Sequence, residues 1–212
     1  MHEVLCYEGH EEIADVAVTH RSVKTGYSKR NLNLYEAKMR RGDPFTPRDL
    51  FYWGRELFYH ARDREATETL TAFIHHPGGW VENKIDACRL LGAIAARAGD
   101  IGGALGAYAR TFLFGAPRAE VCTEIGQLLS DAGEWRGAAF WFRAALQATA
   151  TDNTRGFHDE TLAHFAPLLG LCVCYDRLGD REKAICYNEQ AAKIRPKAPA
   201  VLYNRRYFES TS

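Results

Sequence analysis

The 212-residue sequence lacks several features from which a function is commonly recognised. Its six cysteines form no CxxC pair, so free thiols in a reducing compartment are the expectation. No apolar run approaches the ~20 residues that a membrane-spanning helix needs. The 27 basic and 27 acidic side chains cancel, which gives no case for nucleic acid or an anionic membrane as a partner. We therefore expect a cytoplasmic protein without a membrane span and without a nucleic-acid partner.

Three segments from residue 88 onwards repeat a common pattern. They are "CRLLGAIAARAGDIGGALGAYART", "CTEIGQLLSDAGEWRGAAFWFRAA" and "LLGLCVCYDRLGDREKAICYNEQA". Each has an apolar helical stretch, a Gly followed by an acidic residue, and an Ala five residues after the Gly. These residues are Gly99, Gly133 and Gly179 with Ala104, Ala138 and Ala184. The glycine suits a left-handed helix cap, and the alanine lets two helices approach closely.

The spacing of the segments indicates the class of repeat. Gly99 and Gly133 are 34 residues apart, which is the period of tetratricopeptide (TPR) helix hairpins. A weaker first copy has Gly54 and Ala66 but carries Ala61 where the turn glycine is expected. A polar insertion around "ATDNTRGFHDET" lengthens the last interval. We predict an all-α, right-handed superhelix of about four antiparallel hairpins over residues 43–212, with "APAVLYNRRYF" as a capping helix.

The first helix of each hairpin is expected to line a concave groove that is suited to a protein or peptide. The predicted lining residues are Arg48, Phe51, Arg55, Phe58, Asp86, Arg89, Glu120, Gln127 and Asp176. The set lacks the Lys/Asn combination with which some TPR domains clamp a C-terminal carboxylate. The four tryptophans, Trp80 among them, are expected to pack between helices rather than to contact a ligand.

Residues 1–42 differ from this pattern. Residues 4–7 and 13–20 are predicted to be short strands, and "NLNLYEAKMRRGD" is predicted to be an amphipathic helix that ends at Gly42. Residues 1–19 hold five acids and no Lys or Arg, whereas residues 20–48 hold eight Lys or Arg and two acids, a net of +6. Two strands and one helix cannot bury a core by themselves, so they pack on the repeats or end a larger domain.

Short motifs in this segment and the first repeat resemble bacterial family-2 glycosyltransferases that carry a C-terminal TPR region. The motifs are His2-Glu3, Val18-Thr19-His20, Lys29-Arg30-Asn31-Leu32, Asp43-Pro44, Phe51-Tyr52 and Arg55-Glu56-Leu57. Such enzymes have a GT-A catalytic domain with a metal-binding Asp-x-Asp motif, which this sequence lacks. The resemblance therefore implies that residues 1–42 are the end of such a domain and that the chain is inactive by itself.

The resemblance also implies roles for single residues. His20 would lie near a divalent metal, Mn or Mg, in the full-length enzyme, and this chain itself would hold no cofactor. Lys24, Lys29 and Arg30 would contact the donor diphosphate, and Glu3 would be the base that deprotonates the acceptor. A solvated basic loop and a structural salt bridge of Glu3 are the alternative interpretations.

Three functions follow from these expectations. The first is the C-terminal part of a glycosyltransferase, whose repeats position an acceptor, bind the missing catalytic half or mediate self-association. The second is a freestanding TPR adaptor that binds a peptide or protein in its groove. The third is a helical scaffold that forms homo-oligomers.

Overall fold

The fold is a series of antiparallel helix hairpins. The computed structural model describes residues 28–148 and 159–210, and over these ranges the chain is helical with no strand. The ten helices are α1 Arg30–Arg40, α2 Pro47–Tyr59, α3 Asp63–His75, α4 Val81–Arg97, α5 Ile101–Arg110, α6 Ala119–Asp131, α7 Trp135–Gln147, α8 Ala166–Arg177, α9 Arg181–Ile194 and α10 Pro199–Ser210. The predicted strands at 4–7 and 13–20 lie outside the described residues.

The predicted hairpins are confirmed. Helices pair as α2–α3, α4–α5, α6–α7 and α8–α9, and α10 packs on α9 as the predicted cap. A 3₁₀ turn, Thr111–Leu113, extends α5. The segment Thr161–Phe165 is a π-helical turn that leads into α8, where Pro167 cannot donate the usual backbone hydrogen bond. The interval between α7 and this turn contains the predicted insertion, of which residues 149–158 lie outside the described residues.

The turn between the helices of each hairpin follows the predicted chemistry. Gly99, Gly133 and Gly179 have φ angles of 77°, 80° and 79°, the left-handed conformation that glycine adopts without strain. In the first hairpin Ala61 takes the same place with a φ of 55°. Because Ala61 has a Cβ, this left-handed conformation costs roughly 1–2 kcal/mol there.

The predicted alanines lie where the two helices of a hairpin meet. Ala66, Ala104, Ala138 and Ala184 are all completely buried. The turns therefore end the first helices, and the alanines allow the second helices to pack closely against them.

Helix α1 is attached to the first hairpin by apolar and polar contacts. Leu32 is buried in a cluster with Trp53 and Leu57, and the Tyr35 and Trp53 ring centroids are 5.7 Å apart. Nζ of Lys38 lies 2.7 Å from Oδ2 of Asp49, which is the acidic member of the α2 capping box. These contacts fix α1 alongside the beginning of α2.

The amphipathic prediction for α1 is correct only in part. Of the apolar residues in the helix, Leu32 is buried, but Leu34 and Met39 are each 53% exposed.

The described cysteines are free thiols. Cys88, Cys122, Cys172 and Cys174 are buried and Cys186 is exposed. Among the described residues, no helix is both long and apolar enough to span a membrane.

Replacing Ala61 by Gly should raise the free energy of unfolding by about 0.5–1 kcal/mol. The substitution removes a left-handed Cβ, and the greater entropy of the unfolded chain offsets part of that gain. Gly133→Ala is the matched control. A Cβ there meets nothing within 4 Å, so the expected loss of about 1 kcal/mol reports the backbone conformation alone. Urea denaturation followed by circular dichroism measures both, and a destabilised Ala61→Gly protein would contradict the prediction.

Candidate functional site

Three adjoining cavities run along the face formed by α1 and the first helices of the hairpins. The first lies between α1 and α2 and has a volume of about 450 Å³, the second lies between α2 and the start of α4 with about 340 Å³, and the third is a small cleft between α4 and α6 with about 30 Å³. Arg48 and Tyr52 line the first two cavities, and Trp80 and Asn83 line the second and third. We call these three cavities together the N-terminal groove.

The face of α2 that lines this groove carries two arginines around one tyrosine. The Arg55 guanidinium lies 4.9 Å from the Tyr52 ring centroid, and the Arg48 guanidinium lies 5.6 Å from the same centroid. Among the described residues, neither arginine has a carboxylate within ion-pair distance. Nε of Arg55 is also buried without a hydrogen-bond acceptor there. The groove therefore presents an exposed and a half-buried cation, Arg48 and Arg55, without an ion-paired carboxylate among the described residues.

The carboxylates nearest to these arginines along α2 are engaged elsewhere. Oδ2 of Asp49 accepts hydrogen bonds from Lys38 and from the Thr46 backbone at 2.7 and 2.9 Å. Oε1 of Glu56 accepts from Asn31 at 3.1 Å. Burial opposes ionisation of Asp49, but these hydrogen bonds hold its pKa below the usual value. Asp49 is therefore committed to joining α1 and α2, and among the described residues it forms no ion pair with either arginine.

Two further aromatic side chains give the groove an apolar surface. Trp80 stands immediately before α4 and is 49% exposed, so its ring is accessible from both cavities that it lines. Burial, together with the nearby Asp49 and Glu56 carboxylates, raises the pKa of Tyr35 to about 12. The Tyr35 hydroxyl therefore stays protonated at neutral pH and can donate a hydrogen bond.

Ion pairs cross the third cavity between α4 and α6. Arg118 donates to both carboxylate oxygens of Glu82 at 2.6 and 2.7 Å, and Nη2 of Arg89 donates to Oε1 of Glu124 at 2.6 Å. Burial raises the pKa of Asp86, which stands 3.7 Å from Arg89. The charges in the middle of the face thus neutralise one another and hold adjacent hairpins together.

A separate cavity of about 320 Å³ lies at the C-terminal end, between α8 and the cap α10. Asp176 lines it together with Tyr203 and Tyr207. The Tyr207 hydroxyl donates to Oδ2 of Asp176 at 3.4 Å, so this carboxylate is already part of the contact between α8 and the cap.

Five of the nine predicted groove residues line the N-terminal groove. Arg48 and Arg55 line the N-terminal groove at α2, whereas Asp86, Arg89 and Glu120 line its third cavity. Glu120 is itself buried and accepts a hydrogen bond from the Asp159 backbone.

The other predicted groove residues lie elsewhere. Phe51 is 1% exposed and packs on Phe73, and Phe58 packs on the two core clusters beside α2. Phe51 therefore belongs to the core, and the partly buried Phe58 ring is covered by the Arg97 guanidinium, 4.5 Å from its centroid. Gln127 is exposed and donates to Asp131 at 2.7 Å.

Only two of the residues assigned by the glycosyltransferase resemblance, Lys29 and Arg30, are among the described residues. Glu3, His20 and Lys24 lie outside the described residues. Lys29 and Arg30 are exposed at the start of α1, and neither lines the cavities above. Within 28–148 and 159–210, no group of three His, Cys, Asp or Glu side chains is placed to bind a metal ion.

Tyr52 and Trp80 are the groove residues that the sequence did not indicate. Tyr52 is adjacent to Phe51, and the two rings meet edge to face with their centroids 5.1 Å apart. Trp80 follows Pro77-Gly78-Gly79, a turn signal that places it before the helix and outside its apolar periodicity. This position outside the helix indicates that the Trp80 ring is not required for packing between helices.

Comparison with solved structures identifies the fold. The chain is similar to YrrB, described as a TPR protein with an unusual peptide-binding site, with a TM-score of 0.61 and 16% identity over 84% of this chain and 87% of that one. It is also similar to PilF of Pseudomonas aeruginosa, with a TM-score of 0.59 and 18% identity over 85% of this chain and 72% of that one. The similarity to MamA has a TM-score of 0.58 and 16% identity over 78% of this chain and 85% of that one. The chain has a TPR-type helical-repeat fold. No protein-family model and no curated protein matches it.

A double-mutant cycle on Glu82→Gln and Arg118→Met should give a coupling free energy of about 1–2 kcal/mol in unfolding. This pair is bidentate and its side chains are only 13% and 19% exposed, so water screens it weakly. The Arg64–Glu68 pair, which is 91% and 64% exposed, is the matched control, with an expected coupling of about 0.3–0.5 kcal/mol. Equal couplings for the two pairs would show that the groove pair does not join the hairpins.

Proposed function

We propose that the chain is a binding module that takes up an extended peptide segment of a partner protein in its N-terminal groove. The observation that carries this proposal is the pair of arginines on Tyr52 without a carboxylate partner among the described residues. Together with the half-exposed Trp80, they line cavities of about 450 and 340 Å³. Arginine and tryptophan are the residue types that dominate binding energy at protein interfaces.

The shape of the site also favours a peptide over a compact small molecule. The cavities are successive and share lining residues, so they form an elongated site that crosses from α1 past α2 to α4. Helical repeats present such extended surfaces because each hairpin adds one helix to the same face. The similarity to YrrB, a TPR protein with a peptide-binding site, agrees with this function.

The alternative of a glycosyltransferase tail has less support. The similar structures described above are not presented as transferases, and α1 packs directly on the first hairpin through Leu32. The assigned donor-binding residues that are described, Lys29 and Arg30, lie away from the groove cavities. The adaptor function therefore accounts for more of the described side chains than the transferase function does.

Selection of dodecapeptides from a random display library on the whole chain tests this proposal. We expect selected peptides to bind Trp80→Ala at least tenfold more weakly than the unchanged protein, because a Trp in a binding cavity commonly contributes 2 kcal/mol or more, which exceeds the 1.4 kcal/mol of one tenfold step. Calorimetric titration of synthetic copies of these peptides measures the affinities.

Phe140→Ala is the matched control, since this ring is 56% exposed on α7 and lies outside the groove cavities. Its affinity should stay within twofold of that of the unchanged protein. Equal effects of the two substitutions would place the peptides elsewhere, and a library that yields no binding peptide would refute the function itself.

A further inference from the structure

The second cavity of the N-terminal groove is lined by an amide that has no partner within the described part of the chain. Asn83 is 9% exposed and lines both this cavity and the third one. Its side chain forms no hydrogen bond with any residue that the structure describes, and neither amide atom is sealed from solvent. Buried polar side chains usually have a hydrogen-bond partner, because leaving one unpaired costs free energy. The Asn83 amide is therefore placed to bind a ligand rather than to stabilise the fold.

Trp80 adds a second hydrogen-bond donor beside this amide. It stands three residues before Asn83 and lines the same two cavities. Its ring is 49% exposed and contacts no other aromatic ring and no cation among the described residues. An indole N–H can only donate, and that of Trp80 has no acceptor in the same part of the chain. Trp80 thus brings an exposed apolar surface and one N–H donor to the cavity.

The loop before α4 holds the backbone of Trp80 in place. Nζ of Lys84 donates a hydrogen bond to the His76 carbonyl at 2.7 Å. A Cβ at Gly79 would lie 2.9 Å from Cε2 of Phe73, so the loop lies directly on the core. Because the loop is already ordered by these contacts, less conformational freedom is lost when a ligand binds.

The side chains around the second cavity offer more donors than acceptors. Arg48, Trp80 and Asn83 all carry N–H groups, whereas the Asn83 amide supplies the single carbonyl-type oxygen, and no carboxylate of a described residue lines the cavity. The Tyr52 hydroxyl can donate and accept, so it leaves this balance unchanged. Most peptide residues bring an N–H with each carbonyl, but proline brings a carbonyl alone. A proline residue therefore matches the hydrogen-bonding capacity of the cavity.

We propose that the second cavity of the N-terminal groove selects a proline residue in an extended segment of a partner protein. The proline ring packs on Trp80, and the Asn83 amide donates to a backbone carbonyl beside that ring. Proline-rich segments dock on aromatic-lined grooves in a polyproline II conformation that exists before binding, so little conformational entropy is lost. The inference rests on the proposed peptide-binding function and adds the residue type that the groove selects.

Two display libraries of dodecapeptides, each presented to the whole chain, test this inference. One library has proline fixed at position six, and the other contains no proline. We expect the tightest peptides of the first library to bind at least tenfold more strongly than those of the second. Calorimetric titration of synthetic copies with an acetylated N-terminus and an amidated C-terminus measures the affinities. Proline-free peptides of equal affinity would overturn the inference.

Substitutions at position six of the tightest proline peptide test the hydrogen-bonding argument. Alanine restores the N–H and should weaken binding at least tenfold, because this donor lacks an acceptor in the cavity. N-methylalanine keeps an amide without an N–H and should weaken binding less than threefold. Equal losses for the two substitutions would show that the missing N–H is not what the cavity selects, and would overturn the inference.

Variants of the protein test the role of the Asn83 amide. Asn83→Ala should weaken the proline peptide about fivefold, since one hydrogen bond is lost. Asn83→Asp should weaken it at least as much, because an ionised carboxylate cannot donate. Asn33→Ala is the matched control, since Asn33 is exposed on α1 and lines none of the three cavities, and it should change the affinity by less than twofold.

Folding of the variants does not obscure this result. Asn83→Ala removes no hydrogen bond of the described fold, so its circular dichroism should match that of the unchanged protein. An Asn83→Ala protein that binds the proline peptide with unchanged affinity would contradict the proposed role of the amide.

The results distinguish this inference from the function on which it rests. If peptides of both libraries bind equally well and depend on Trp80, the groove takes up peptides without selecting proline, and the inference alone is wrong. If neither library yields a binding peptide, the peptide-binding function is wrong as well.

Discussion

The arrangement of the first three hairpins depends on one steric constraint, which is that a glycine of the first helix faces a large side chain of the second. A Cβ at Gly92 would lie 2.5 Å from Cε1 of Tyr108, and one at Gly54 would lie 2.6 Å from Cδ2 of Leu70. Real Cβ atoms do not approach so closely, so only glycine permits this helix spacing. The contact fixes the rotation of the first helix about its own axis as well as its distance from the second.

That rotation determines which side chains can face the groove. Gly54 points towards α3, and Tyr52, two residues earlier, is turned about 200° away from it because successive helical residues differ by about 100°. Arg48 and Arg55 lie about one helical turn before and one turn after Tyr52, on nearly the same face of α2. The packing of the first hairpin thus leaves Arg48 exposed, where its charge remains hydrated, whereas Tyr52 and Arg55 are half-buried beside the core.

Much of the fold could be predicted from the sequence because its determinants are local. A left-handed turn, as at Gly99, needs only the right residue at the right place. Side-chain orientation depends on neighbouring helices and was harder to predict. Phe51 and Phe58 fitted the groove register, but the contact with α3 and α4 turns them into the core. Trp80 fitted no register, and the fold leaves it exposed beside α4.

The pairing of charges is the property of the groove that the sequence could not reveal. Arg89 and Arg118 pair with carboxylates 35 and 36 residues away, each on the helix of the neighbouring hairpin. Arg48 and Arg55 are the same residue type in the same kind of helix, but no described carboxylate lies within ion-pair distance of them. A paired arginine has already exchanged its hydration for a protein partner, whereas an unpaired one can still gain by doing so. The difference between holding the repeats together and binding a ligand therefore lies in the three-dimensional neighbours of these residues.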